Sequence, residues 1–152
     1  EFSFDVTKVL PVGDDGIAIL NAKDYYTKPS IYPSYSTQKQ SHSPSETQLV
    51  QILDRMGTAS SKVTSPLKKD SLAIGQGLKA VITDYSKFVS SDHRLYLKVD
   101  SKFVLGLLKV GYKNLFHHNS LGKITEMRPL CVLDFYVHES VQRMGVGKVT
   151  PV

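Results

Sequence analysis

The chain has 152 residues, a formal net charge of +5, 41% hydrophobic residues and 22% charged residues. That length suits one domain able to bury a core, and the balance is that of a globular protein. The sequence contains no apolar run long enough for a membrane-spanning helix, no basic-then-apolar signal layout at its start, and one cysteine. A lone cysteine excludes an internal disulfide and a cysteine-rich zinc site, and it fits a reducing compartment. A basic surface attracts polyanions, either nucleic acid or an acidic protein. No aromatic–basic RNA motif and no helix with a dense basic face is present.

Phe2, Phe4 and Val6 alternate and are followed by Val9 and Leu10, which predicts a first strand turning at Pro11. Gly13-Asp14-Asp15-Gly16 is a turn signal, and residues 17–20 predict the second strand of a hairpin. Residues 24–44 are rich in Tyr, Ser, Pro, Thr and Gln and read as a surface loop. Tyr25, Tyr26, Tyr32 and Tyr35 within it are either a contact surface or local packing. Ser43 as N-cap, Pro44 at the first helical position and Glu46 at N3 form a capping box. Leu49, Ile52, Leu53 and Met56 follow at helical spacing, and Gly57 is expected to end the helix as its C-cap. Residues 59–62 are expected to open a second helical turn.

Residues 94–99 alternate with Leu95, Leu97 and Val99 inward, and Asp100-Ser101-Lys102 is the turn after them. Residues 103–110 are more continuously apolar and predict a central strand. Gly106 inside it calls for a bulge or a close backbone contact. Residues 112–116 continue that strand or pair with it, and residues 117–128 read as a polar hairpin loop. Residues 131–137 predict a buried strand that feeds Gln142-Arg143-Met144-Gly145-Val146-Gly147. A strand, a short turn and a glycine loop aim backbone N–H groups at a diphosphate. A tight turn that happens to hold two glycines is the other reading. His117, His118 and His138 show no metal spacing with a carboxylate, so no metal is expected.

Gln142-x-x-Gly145-x-Gly147 after a strand resembles the acetyl-CoA loop of the GNAT acetyltransferases. The words around it are narrower. Pro129-Leu130-Cys131, Leu133-Asp134-Phe135-Tyr136, His138-Glu139-Ser140-Val141-Gln142-Arg143, Leu108-Lys109-Val110-Gly111-Tyr112-Lys113 and Phe2-x-Phe4-Asp5-Val6 resemble the α-tubulin N-acetyltransferase family. The resemblance implies an α+β fold, with a mixed, mostly antiparallel sheet flanked by helices. It implies acetyl-CoA as co-substrate, a lysine of α-tubulin in microtubules as acceptor, and a cytoplasmic, microtubule-bound location. It implies no membrane partner, and nucleic acid is not expected. It places the CoA contacts on Phe135, Tyr136, Val137, His138, Glu139, Ser140, Val141, Gln142, Arg143, Met144, Gly145, Val146, Gly147 and Lys148.

The resemblance also matches Gln76 to a functionally important glutamine, and Cys131 to a cysteine beside the acetyl group and the acceptor lysine. Taken alone, Gln76 reads as an exposed loop glutamine, able to position a water or an amine but not to act as a base. Taken alone, Cys131 reads as a small buried hydrophobe. GNAT enzymes transfer directly within a ternary complex, so the resemblance favours Cys131 as a wall of the site over a covalent nucleophile. Asp134 is either a polar residue of the pleat's other face or a group that orients the site. Lys109 and Lys113 either face an acidic partner or stand in solvent. Arg143 and Lys148 either add charge near the phosphates or are solvated.

Two stretches depart from the family pattern. Residues 63–75 separate words that the family joins directly, and they are expected to be an insertion. After Lys148 only four residues follow, where the family continues with a helix. Residues 1–148 are therefore expected to be part of a GNAT domain, with 149–152 a tail outside its pattern. Both departures begin Lys-Val-Thr, as an exon end running into a splice donor would read, which suggests translated intron sequence. Two functional readings stay open: an acetyltransferase, and an inactive fragment that at most binds tubulin or microtubules. A basic nucleic-acid module ranks below both.

Overall fold

The computed structural model describes residues 1–26, 44–63 and 81–142. In chain order these form β1 (Ile17–Asn21), α1 (Pro44–Val63), α2 (Tyr85–Val89), β2 (Arg94–Asp100), β3 (Phe103–Tyr112), β4 (Leu115–His118), β5 (Ile124–Met127) and β6 (Leu130–Val137). The architecture is α+β. One antiparallel sheet runs β1-β2-β3-β6, and β4 and β5 pair as a separate hairpin. None of the described helices is long and apolar enough to cross a membrane.

The sheet's inner face carries Ala18, Leu20, Leu95, Leu97, Leu107 and Tyr136, all buried. Helix α1 lays Leu49, Ile52, Leu53 and Met56 into the same core. Their i, i+3, i+4, i+7 spacing makes one apolar stripe. Each such side chain contributes about 1.5–3 kcal/mol by leaving water. Phe88 of α2 closes the end of this core. On the other face Ile19, Val132 and Phe135 are exposed.

Several expectations change. The opening segment is not a strand: it turns through a 3-10 helix at Val6–Lys8, where the Asp5 carboxylate accepts from Thr7 N. Its buried residues are Phe2, Val6 and Leu10. The packing period is four residues, and it overrides the two-residue alternation that suggested a strand. The expected hairpin with β1 shrinks to one bridge, Val12 to Ala18. Residues 117–128 are not all loop, since β4 and β5 run through them; every β4 and β5 residue is exposed. Helix α2 was not anticipated, although Asp84 is a conventional N-cap accepting from Lys87 N. The expected Ser43 cap lies outside the described residues. Gly106 does sit at an irregularity, because the β2–β3 register shifts at Lys98/Val99 and leaves Leu105 as the extra residue.

Gly57 is not a C-cap. Helix α1 continues through it to Val63. A Cβ on Gly57 would collide with the Thr83 carbonyl, whose carbon is 2.7 Å from the ideal Cβ position. The glycine therefore serves close approach: it lets the segment before α2 lie against the helix. At an open helical site Gly→Ala stabilises by about 1 kcal/mol. Gly57→Ala is expected to have the opposite sign and to destabilise by about 1–3 kcal/mol through overpacking. A urea midpoint shifted down at unchanged slope checks this.

Candidate active site

β6 is an edge strand of the four-stranded sheet, so one side of its backbone has no partner strand among the described residues. Its register against β3 contains one irregularity. Asp134 pairs with Lys109, and then Val132 pairs with Val110, which leaves Leu133 as an extra residue. Without a bulge, positions 131 and 134 would point to opposite faces, because a strand alternates with period two. With the bulge, Cys131 pairs with Gly111 and Asp134 with Lys109. Gly111 and Lys109 are two apart, so Cys131 and Asp134 share the inner face. Asp134 is therefore not a residue of the pleat's other face.

Asp134 is buried, and both of its oxygens are used. Ser60 of α1 donates to Oδ1 at 2.6 Å, and Thr83 donates to Oδ2 at 2.6 Å. Ser60 and Thr83 are themselves buried. Lys109 does not face outward either: it is 3% exposed and its Nζ donates to the Ile82 carbonyl at 2.8 Å. Burial pushes its ammonium below the ordinary 10.5, and the nearby Asp134 pulls it partly back. Lys113, by contrast, is exposed.

His93 lies at the start of β2, just before Arg94, which pairs with Val110. Its ring occupies the space a Gly111 side chain would need: Nε2 is 3.1 Å from that ideal Cβ, and the Cδ1 of Leu133 is 2.9 Å from it. Burial lowers the His93 pKa below 6.5, Lys109 and Lys113 lower it further, and Asp92 opposes them. His93 also lines a cleft of about 380 Å³ with Asp92, Arg94, Tyr112 and Leu130. Cys131 is half-buried, and its thiol donates to the Pro129 carbonyl at 3.5 Å.

At the other end of β6, His138 N donates to the Leu105 carbonyl, and a 3-10 turn follows at Glu139–Val141. The His138 Nδ1 accepts from Ser140 N at 3.2 Å. Gln142 folds back so that its Nε2 donates to the Val137 carbonyl at 2.9 Å. This ties the entry of the glycine loop to the end of the strand. Phe135 is exposed and Tyr136 is buried in the core. Tyr136 can therefore offer a ligand its backbone rather than its ring. Gln76 and Arg143, Met144, Gly145, Val146, Gly147 and Lys148 lie outside the described residues.

The family described as "GNAT acetyltransferase, Mec-17" matches residues 2–150. The chain belongs to the Mec-17 family of GNAT acetyltransferases. It is 39% identical over 149 residues to a protein named alpha-tubulin N-acetyltransferase from Tetrahymena thermophila, covering 98% of this chain and 31% of that protein. It is 39% identical over 155 residues to one of the same name from Trichoplax adhaerens, covering 98% of this chain and 60% of that protein. With alpha-tubulin N-acetyltransferase 1 of Danio rerio it shares 41% over 106 residues, covering 66% and 32% of the two chains. The chain thus spans about a third to three-fifths of the length of these relatives.

Within this Mec-17 family chain, the sequence reading singled out Cys131 and the end of β6 and did not single out Ser60, Thr83 or His93, which the structure places beside them. Ser60 was legible, since it continues the Leu49, Ile52, Leu53 and Met56 stripe four residues after Met56. Nothing local marked Thr83 or His93. Removing the buried carboxylate takes an acceptor from Ser60 and Thr83 and strands the Lys109 charge. Asp134→Ala is therefore expected to cost about 3–5 kcal/mol. Lys109→Met added to it should return part of that loss in a denaturant titration.

Proposed function

We propose that this chain transfers the acetyl group of acetyl-CoA to a lysine side chain of α-tubulin in microtubules, in the cytoplasm. The observation that carries the reading is alignment over 98% of the chain with proteins named alpha-tubulin N-acetyltransferase. The geometry supports it. β6 has a backbone edge unpaired among the described residues, of the kind an extended pantetheine amide chain can pair with, and the Gln142 hydrogen bond positions the start of the loop that would meet the diphosphate. The half-buried Cys131 thiol, on the same face as Asp134, forms a wall where the acceptor amine would enter. Acetyl-CoA supplies an activated thioester; the protein's part is to orient the amine, take its proton and exclude water. A net charge of +5 favours encounter with an acidic protein surface.

The test is incubation of the purified chain with acetyl-CoA and polymerised tubulin, with acetyl-lysine on α-tubulin read by mass spectrometry. Acetate on one tubulin lysine, reduced in Cys131→Ala and in Gln76→Ala without loss of folding, is the expected result. Co-sedimentation with microtubules and no transfer would instead identify a binding chain without catalysis. A trapped acetyl-cysteine at Cys131 would replace direct transfer with a covalent route.

A further inference from the structure

A backbone amide N–H can only donate a hydrogen bond, so the atom that receives it must carry a free lone pair. That rule fixes the state of His138, which joins β6 to the turn before Gln142. Its backbone is held by the strand: His138 N donates to the Leu105 carbonyl at 2.8 Å. Leu105 is the extra residue of the β2–β3 irregularity, and it stands one position beyond the last β3–β6 pair, Gly106 with Val137. The His138 side chain is held by the residues that follow. Nδ1 accepts from Ser140 N at 3.2 Å and lies 2.8 Å from Ser140 Oγ. An sp² ring nitrogen has one lone pair. With the Ser140 N–H directed at it, the ring proton belongs on Nε2, and the Ser140 hydroxyl is a second donor to the same lone pair.

Histidine is not the usual residue for this task. At the start of a helical turn Ser, Thr, Asp and Asn commonly supply the accepting oxygen. Here an imidazole does so for the 3-10 turn Glu139–Val141. The turn's own bonds are Val141 N to the His138 carbonyl at 3.0 Å and Gln142 N to the Glu139 carbonyl at 3.4 Å. His138, Glu139 and Ser140 are exposed, so burial does little to hold them. A single 3-10 turn has poor hydrogen-bond geometry of its own. Side chains therefore decide how fully it forms. Gln142 Nε2 reaches the Val137 carbonyl at the strand end, whereas His138 satisfies the Ser140 N–H inside the turn.

Resting on the acetyl-transfer reading above, we infer that His138 is a positioning residue for acetyl-CoA: its Nδ1 lone pair holds the Glu139–Val141 turn that carries the chain from β6 to the glycine motif. In this role the ring makes no bond to the co-substrate. It sets the direction in which the chain leaves the strand before acetyl-CoA arrives. A turn only partly formed in the free protein has to be ordered on binding, and the apparent affinity falls with the fraction that is formed.

The experiment titrates acetyl-CoA calorimetrically into the full chain, His138→Ala and His138→Asn. It also records the ring nitrogen resonances of His138 in the wild-type chain under mildly alkaline conditions. Asparagine keeps a side-chain oxygen that accepts from the N–H two residues on, which is the Ser140 N–H. The inference expects His138→Ala to bind acetyl-CoA roughly 3- to 10-fold more weakly, the size of a lost cap, and His138→Asn to stay within about twofold of the wild type. It expects the proton on Nε2 and a bare Nδ1. Wild-type affinity in His138→Ala overturns it. Loss in His138→Asn equal to that in His138→Ala overturns it too, because the ring would then be contacting the co-substrate itself. A proton found on Nδ1 contradicts it without recourse to either variant. A wild-type chain that binds no acetyl-CoA removes the acetyl-transfer reading and this inference with it.

Discussion

A carboxylate removed from water must have its charge met by the protein, and the effective penalty otherwise is several kcal/mol. At Asp134 that requirement is met by groups from distant parts of the chain. Ser60 is 74 residues away and Thr83 is 51. Lys109, paired with Asp134 across the ladder, reaches past it to the Ile82 carbonyl. The C-terminal half of α1, the segment before α2, β3 and β6 therefore come together at one point. Omitting any of them leaves a buried polar group unsatisfied, which makes the arrangement cooperative. Apolar burial under α1 supplies more free energy, but it does not by itself fix where β6 sits. The short hydrogen bonds at Asp134 specify that position.

Two glycines complete the constraint by leaving space. Gly57 lets the Thr83 backbone touch α1, which is what brings the Thr83 hydroxyl to Asp134. Gly111 leaves room for His93 on the inner face. The bulge at Leu133 then turns Cys131 to the same side as Asp134. Support and site are thus adjacent on one strand: Asp134 anchors β6 while Cys131, three residues earlier, faces the space where chemistry is proposed. At the far end of the same strand, the Gln142 to Val137 hydrogen bond holds the first residue of the glycine motif against the strand end.

Much of the fold was legible because its signals are local. The alternation of Leu95, Leu97 and Val99 and the stripe of Leu49, Ile52, Leu53 and Met56 report their own elements. The misreadings arose where a distant contact decides. Phe2, Phe4 and Val6 alternate, yet Phe2 and Val6 are buried with Leu10 because the segment docks on the turn after β2, where Phe2 N meets the Lys102 carbonyl and Val6 N the Ser101 carbonyl. Gly57 resembles a helix end until Thr83 is seen against it. Ser60 is visible as the continuation of the α1 stripe, but that it and Thr83 serve Asp134 is invisible to any window, since a serine or threonine is an ordinary residue until a carboxylate 74 or 51 positions away claims it. The bulge is likewise a property of two strands, so the shared face of Cys131 and Asp134 was not available from one.

The most direct test of this account is a double-mutant cycle on Ser60→Ala and Thr83→Val, with unfolding free energies measured for the wild type, both single variants and the pair. The two hydroxyls do not bond to each other in the described hydrogen bonds; they meet through the two oxygens of one carboxylate. If that carboxylate joins α1 to the segment before α2, the effects must couple, by about 0.5–3 kcal/mol. Additivity within about 0.3–0.5 kcal/mol would contradict the account, since it would mean that Asp134 serves two independent contacts and joins nothing.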